Sequence, residues 1–351
     1  MICTQKEVVT STFTPEHFSA KLRIHSVISN LGGYVHNKHI VNDAIGILKK
    51  IGSRSTNRLG ANGTVDARGK KMAKLVLQTD FGLVDGAVAA MYGVAYGVDG
   101  ELSIHDLTHE IPPYDIFAAS YRLYQTTKYW PEGTVFVSVV DPGVGSDRRS
   151  IIAETVDHHF IITPDNGTLT HLAKFVGLKR VSVIDEASHA LPGSQESHTF
   201  HGRDIYAYNG AKLASGQITF EDLGKEIEPE QVVMLPLGEV KEGVDQIAGT
   251  IDILDIRFGS LWTNIPLATF KKLGVAAGEF VQVSIYYHDQ LRYQNQMPFT
   301  RTFAAVRVGE PLVYVNSLLN LGVAINQDSF SKLHHIGTGV DWHITVKRLS
   351  V

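Results

Sequence analysis

The sequence predicts a mixed α/β protein: a layered N-terminal α/β domain followed by a small all-β domain, a barrel or a sandwich. Three observations lead there. From Met72 onward, short β-rich runs alternate with helical stretches, the pattern of a layered sheet. At residues 236–249, PLGEVKEGVDQIAG, the chain turns polar and Gly-rich, as domain boundaries do. Beyond that point the runs are short, alternating and β-branched, with few helical periods. The expected divisions are a basic, poorly ordered extension over 1–71, an α/β domain over 72–240 and a β domain over 247–351.

The extension carries eleven Lys/Arg against four Asp/Glu, although the whole chain has a net charge of −4. It holds no dense basic block, so a nucleic-acid arm is not expected. A short helix is expected at 42–51, and the Gly-, Asn- and Arg-rich stretch 57–71 reads as a linker. The first residues show no basic run ahead of an apolar core, so a secretory signal is not expected, and no apolar run is long enough for a membrane span. Cys3 is the only cysteine, which rules out an intrachain disulfide framework and points to a reducing cytoplasm.

In the α/β part, KLVLQT (74–79) is a short strand and residues 86–98 are helical. Residues 101–107 read as a strand. Residues 115–130 form a helix with Phe117, Tyr121 and Tyr124 on one face and Asp115 as N-cap. TVFVSVV (134–140) is a buried strand, and residues 149–167 give two strands around an Asp-His-His turn. A helix at 168–177, a strand at 180–185 and a helix at 202–216 follow. In the β part, strands are expected at TIDILDI, EFVQVSIYY, TFAAVRV, LVYVNS and HITVKRL.

Ligands of open α/β sheets collect beyond the carboxyl ends of the strands, and three polar clusters fall at such places. In TDFGLVD, Asp80 and Asp85 suit a ribose diol or an ammonium, or else cap the next helix. In VVDPGVGSDRR, Asp141 ends a strand, a Gly turn follows, then Arg148 and Arg149. No Gly-Lys-Ser/Thr follows, so this is no P-loop; it is a phosphate cradle of another kind or a structural Asp–Arg pair. In TFHGRD, His201 precedes a helix and is either a catalyst or a packing residue. His105 and His109 have i,i+4 spacing but lie in an extended stretch, which does not favour a metal site. In the β part, DIRFGSLWTN brings Asp255, Phe258, Trp262 and Asn264 together, to hold an amine and a purine or to form an ordinary hairpin.

Six motifs occur in one order: TDFGLVD, VVDPGVGSDRR, PDNG (164–167), TFHGRDIYA, DIRFGSLWTN and NSLLNLGVAINQDS (316–329). In this the sequence from about 72 to 351 resembles the S-adenosyl-L-methionine (SAM) hydroxide adenosyltransferases, or SAM hydrolases, relatives of the SAM-dependent fluorinase and chlorinase. The resemblance implies a β-barrel for the second domain and a homotrimer with active sites between subunits. It implies hydrolysis of SAM to adenosine and methionine, with SAM as substrate and no cofactor; no metal, nucleic acid or membrane is expected. The catalytic triad falls on Asp141, Arg148 and His201. Asp80 holds the ribose, Asp85 and Asp255 meet the methionine end, Phe258 and Trp262 wall the adenosine, Ser317 lies near the methionine carboxylate, and Ser260 and Ala324 complete the substrate pocket. The chain departs from the family at Ser260, where Asn is usual, and at Tyr208, Leu319 and Asp328. A SAM-dependent halogenase and a non-catalytic SAM-binding module are the competing readings.

Overall fold

The structure, a computed structural model, describes residues 73–349. The extension over 1–71 and its expected helix lie outside the described residues. The first sheet has seven strands: β1 (Lys74–Thr79), β2 (Ser103–Thr108), β3 (Val135–Val139), β4 (Ser150–Thr155), β5 (Phe160–Pro164), β6 (Leu178–Ile184) and β7 (Gly224–Ile227). Their order is β2-β1-β3-β5-β4-β6-β7. The β2, β1, β3 and β5 pairings are parallel, whereas β4 runs antiparallel to both β5 and β6. One edge of the sheet therefore gathers the ends of β1, β3 and β6 and the beginning of β4.

Helices cover both faces because the central strands are apolar on both sides. Leu75, Leu77, Val135 and Val137 face α1 (Ala87–Val98) and the segment from Gly202 to Ala214, burying Met91, Tyr206 and Ala211. Val76, Phe136 and Ile161 face α2 (Ile116–Thr127) and α3 (Thr170–Phe175), burying Leu123 and Leu172. Each buried Leu, Val, Ile, Phe or Met side chain among them contributes about 1.5–3 kcal/mol. Asp115 caps α2 by accepting from the Ala118 amide at 2.8 Å, as its position predicts. After β6 comes a single turn, α4 (Glu186–His189).

The helix expected over 202–216 is divided. Gly202–Ala207 winds as a π-helical turn and only Tyr208–Ala214 is α-helical, α5. Asn209 explains part of this: its side-chain amide donates to the carbonyls of Ile205 and His189. Wide turns of this kind recur at functional sites.

The second sheet contains β8 (Lys241–Glu242), β9 (Gln246–Asp255), β10 (Ser260–Pro266), β11 (Phe280–Tyr287), β12 (Gln290–Pro298), β13 (Pro311–Val315), β14 (Asn320–Ile325) and β15 (Gly339–Arg348). Its order is β12-β11-β15-β9-β10-β14-β13, with β8 on β9. A bridge between Phe299 and Val313 brings the two outer strands together, so the sheet is nearly a closed barrel around Val283, Met297, Val323, Ile344 and Phe330. Asp255 and Ser260 pair as the ends of a β9–β10 hairpin. The strand expected at 302–308 is not formed: Phe303–Ala305 is one 3-10 turn, because this segment crosses between β12 and β13 instead of joining the sheet. The barrel's outer face packs on α2, where Ala118, Ala119 and Tyr121 meet Ile253, Trp262, Leu312 and Ala324.

Candidate active site

Asp80 follows β1 and Asp141 follows β3, so both stand at the gathering edge of the first sheet. They line a cleft of about 520 Å³ with Phe81, Asp85, Tyr114, Val144, Phe200 and His201. The Pro142–Gly145 turn folds the chain back at once: the Val144 amide reaches the Asp141 carbonyl at 3.2 Å and the Ser146 amide the Gly143 carbonyl at 3.0 Å. Gly145 has φ +77°, and a Cβ there would stand 3.0 Å from the His198 carbonyl oxygen, so the turn requires glycine. Arg148 is thereby returned over Asp141.

The guanidinium of Arg148 is fully engaged. Nε donates to Asp141 Oδ1 and Oδ2 at 3.1 and 3.0 Å. Nη1 donates to Ser150 Oγ at 3.0 Å and to Glu186 Oε1 at 3.1 Å. Nη2 donates to Asp141 Oδ2 at 2.7 Å and to His201 Nδ1 at 2.8 Å. A guanidinium has five N–H donors and no acceptor, so none remains for a ligand or water. Its Cζ lies 5.6 Å from the centre of the Tyr206 ring, whose hydroxyl bonds Ser150. Because Arg148 can only donate, His201 Nδ1 must accept. The neutral imidazole then carries its proton on Nε2. Burial holds this imidazole below its ordinary range; Glu186 and Asp141 oppose that, and Arg148 and His198 reinforce it.

Asp80 Oδ2 accepts from the Tyr114 amide at 2.9 Å, so it braces the β2–α2 loop and does not cap α1. Asp85 does act locally, accepting from the Ala87 amide at 2.9 Å, while exposed at the cleft. Arg149 turns away and pairs with buried Asp165. The PDNG motif has a support role that sequence reading missed: Asn166 donates to the Val140 carbonyl at 2.8 Å and fixes the strand end before Asp141. His109 bonds Thr79 and Asp106, and no metal-binding group of His, Cys, Asp and Glu occurs among the described residues.

The barrel residues form a second cleft, of about 870 Å³, lined by Asp255, Phe258, Ser260, Trp262 and Ser317 together with Arg301, Phe303, Tyr314 and Asn316. Trp262 is mostly enclosed and donates from Nε1 to the Tyr314 hydroxyl at 2.9 Å. Phe258 is 67% exposed and Phe303 42%. The structure places Ala324 outside both clefts, fully buried in the packing between barrel and α2. The two clefts share no lining residue, so the expected site residues form two separate groups within one chain.

Residues 75–224 match the family model described as SAM hydroxide adenosyltransferase N-terminal domain, and residues 249–343 match its C-terminal domain. The chain is 35% identical over 264 residues to the (R)-S-adenosyl-L-methionine hydrolase of Thermus thermophilus, covering 74% of this chain and 94% of that protein. It is 25% identical over 296 residues to the fluorinase of Actinopolyspora mzabensis, covering 77% and 96%. The crystal structure of an uncharacterized conserved protein from Thermotoga maritima superposes with a TM-score of 0.71 at 30% identity, covering 78% of this chain and all of that one. With both family domains matched in order and the Asp-Arg-His cluster assembled at the sheet edge, the chain belongs to the SAM hydroxide adenosyltransferase family.

Proposed function

We propose that the protein hydrolyses SAM to adenosine and L-methionine through Asp141, Arg148 and His201. The carrying observation is that these three residues form one hydrogen-bonded centre, two of whose members line a cleft that also holds Asp80. Water attacks the ribose C5′. The C5′–S bond breaks, sulfur recovers its electron pair as the neutral thioether of methionine, and the oxygen bound to C5′ loses a proton. Sulfur carries its positive charge in the substrate and loses it in the product, so no leaving anion needs neutralising. The task is to place a desolvated water in line.

In this scheme Nε2–H of His201 donates to the water oxygen and holds it. Asp141, the anion of the trio that lines the cleft, accepts from the water and takes the released proton. Arg148 touches no water; it is a positioning residue that holds the imidazole at Nδ1 and the Asp141 carboxylate at Nε and Nη2. Asp80 takes the ribose hydroxyls. Asp85 and Asp255 meet the ammonium of the methionine end, with Ser317 near its carboxylate. Phe258, Trp262 and Phe303 flank the adenine, with Ser260 beside them.

The same reading makes the protein a homotrimer whose sites close between subunits. Exposed apolar side chains support it: Val84 and Tyr114 lie beside the first cleft, and Phe258 and Leu319 beside the second. Each cleft lacks what the other carries. The single cysteine supports action in a reducing cytoplasm, and no helix among the described residues is long and apolar enough to cross a membrane.

The test is incubation with SAM in chloride-free buffer and again with chloride, resolving nucleosides by chromatography with mass detection. Adenosine and methionine in both are expected. A chlorinated nucleoside only with chloride makes the protein a halogenase. Bound but unchanged SAM leaves a binding module.

A further inference from the structure

Glu186 was not singled out by any sequence pattern. It opens α4 directly after β6, and β6 runs antiparallel to β4, which begins at Ser150. That pairing sets the end of one strand beside the beginning of the other. The Glu186 carboxylate accepts from Arg148 Nη1 at 3.1 Å and from Ser150 Oγ at 2.5 Å, and its Oε2 lies 3.8 Å from His201 Nδ1. Asp141 occupies the opposite edge of the guanidinium, at Nε and Nη2.

Two anchors on different edges fix a planar fork in a way that one cannot. With Asp141 alone, the guanidinium can pivot about its Nε/Nη2 edge, and the hydrogen offered to His201 moves with it. Glu186 and Ser150 hold the Nη1 corner and remove that freedom. The Glu186 side chain is 36% exposed, whereas that of Asp141 is 5% exposed. Removing Glu186 therefore strands no deeply buried charge, and its variants are expected to fold.

We propose that Glu186 is a positioning residue of the hydrolytic centre: by anchoring the far corner of Arg148 it fixes His201 with Nδ1 accepting and Nε2–H offered to the nucleophile. This rests on reading Asp141, Arg148 and His201 as that centre. The charged and titratable groups around His201 are Glu186, Arg148, Asp141 and His198. Of these, Glu186 is the largest influence favouring the imidazolium. Replacing it by a neutral residue lowers the pH at which His201 takes up a second proton.

The experiment compares the wild type, Glu186→Gln and Glu186→Ala in the full-length protein by two readouts. The first is the ¹⁵N NMR titration of His201, which reports tautomer and protonation without turnover. The second is kcat and KM for SAM against pH. In Glu186→Gln, His201 titrates at lower pH and the acid limb of kcat moves the same way. In Glu186→Ala the imidazole loses its single tautomer, and kcat falls about tenfold to a hundredfold with KM little changed, the effect of a misplaced reacting group; Glu186→Gln, which keeps an acceptor, falls less. An unchanged His201 titration and tautomer in both variants overturns the proposal, whatever the rates. If His201 responds as stated but the wild type yields no adenosine, the positioning role stands and the hydrolase reading falls.

Discussion

Arg148→Lys separates two roles a cation has at this site. If charge alone matters, lysine serves. If the fork matters, it does not. The guanidinium makes contacts to Asp141 at two nitrogens, to Ser150, to Glu186 and to His201. An ammonium offers three donors from one point, so at least two contacts are lost. Asp141 is the nearest strong acceptor and keeps the ammonium, leaving His201 Nδ1 without its donor. Loss of tautomer control in a comparable triad costs about 10⁴-fold in kcat, and here a fall of about 10²–10⁴ is expected, since nucleophilic attack by water leaves other orientations available. Stability falls less than on full removal of a partner from a buried pair, which costs about 3–5 kcal/mol. With side chains 10% and 5% exposed, about 2 kcal/mol is expected for the lysine variant, mostly from charge-assisted bonds. The assays are adenosine production by chromatography and urea unfolding. If Arg148→Lys keeps turnover within about threefold of wild type, the saturated-fork argument is wrong and Arg148 acts as a simple field.

Three further outcomes are expected. Gly202→Ala puts a Cβ 3.0 Å from Phe81 Cζ, pushing that ring into the cleft; KM for SAM rises and stability drops by about 1–3 kcal/mol, read by kinetics and urea titration. Burial depresses His171 to about 4, so the folded state resists its protonation. The stability this implies is complete above the unfolded pKa of about 6.5 and is lost as pH falls from there to about 4, in all about 3 kcal/mol. Denaturation at pH 5 and pH 7.5 should show about 2 kcal/mol of that loss in the wild type and a flatter profile in His171→Phe, and equal slopes would assign the effect to other groups. Finally, Arg148→Ala and Asp255→Ala chains, each inactive alone, regain adenosine formation when mixed and reassembled; failure to complement despite mixed assembly would count against sites shared between subunits.

Much of the α/β part was legible because local chemistry decided it. Lys74–Thr79 forms as read, since Leu75, Val76 and Leu77 are apolar on both faces and polar residues flank them. Asp115 announces α2 by capping it. The barrel was harder. Strand β12, QLRYQNQMP, is mostly polar and exposed because it is an outer strand, and no hydrophobic pattern marks it. The apolar stretch 302–308 promised a strand, but it crosses between β12 and β13 with every residue except Val306 exposed. Trp262 carries the composition of an adenine wall, yet tertiary packing encloses most of it against Tyr314. Asp141, Arg148 and His201 each stood out at a strand end, but only the order of the motifs joined them into one group. Glu186 was invisible because its contact with Arg148 depends on the β4–β6 pairing, a long-range event that no local window contains.

The reversed direction of β4 has a consequence in simple lengths. The chain leaves β3 after Val139 and re-enters the sheet at Ser150, crossing over β5. Two strand spacings are about 10 Å. Three extended residues, at about 3.3 Å each, span that distance. The connection instead contains residues 140–149. Most of this loop is therefore surplus to joining the strands, and it is this slack that doubles back through the Gly turn to lay Arg148 over Asp141. A shortened loop still connects the sheet, so a chain could keep the whole fold and lose the centre by deleting a few residues here.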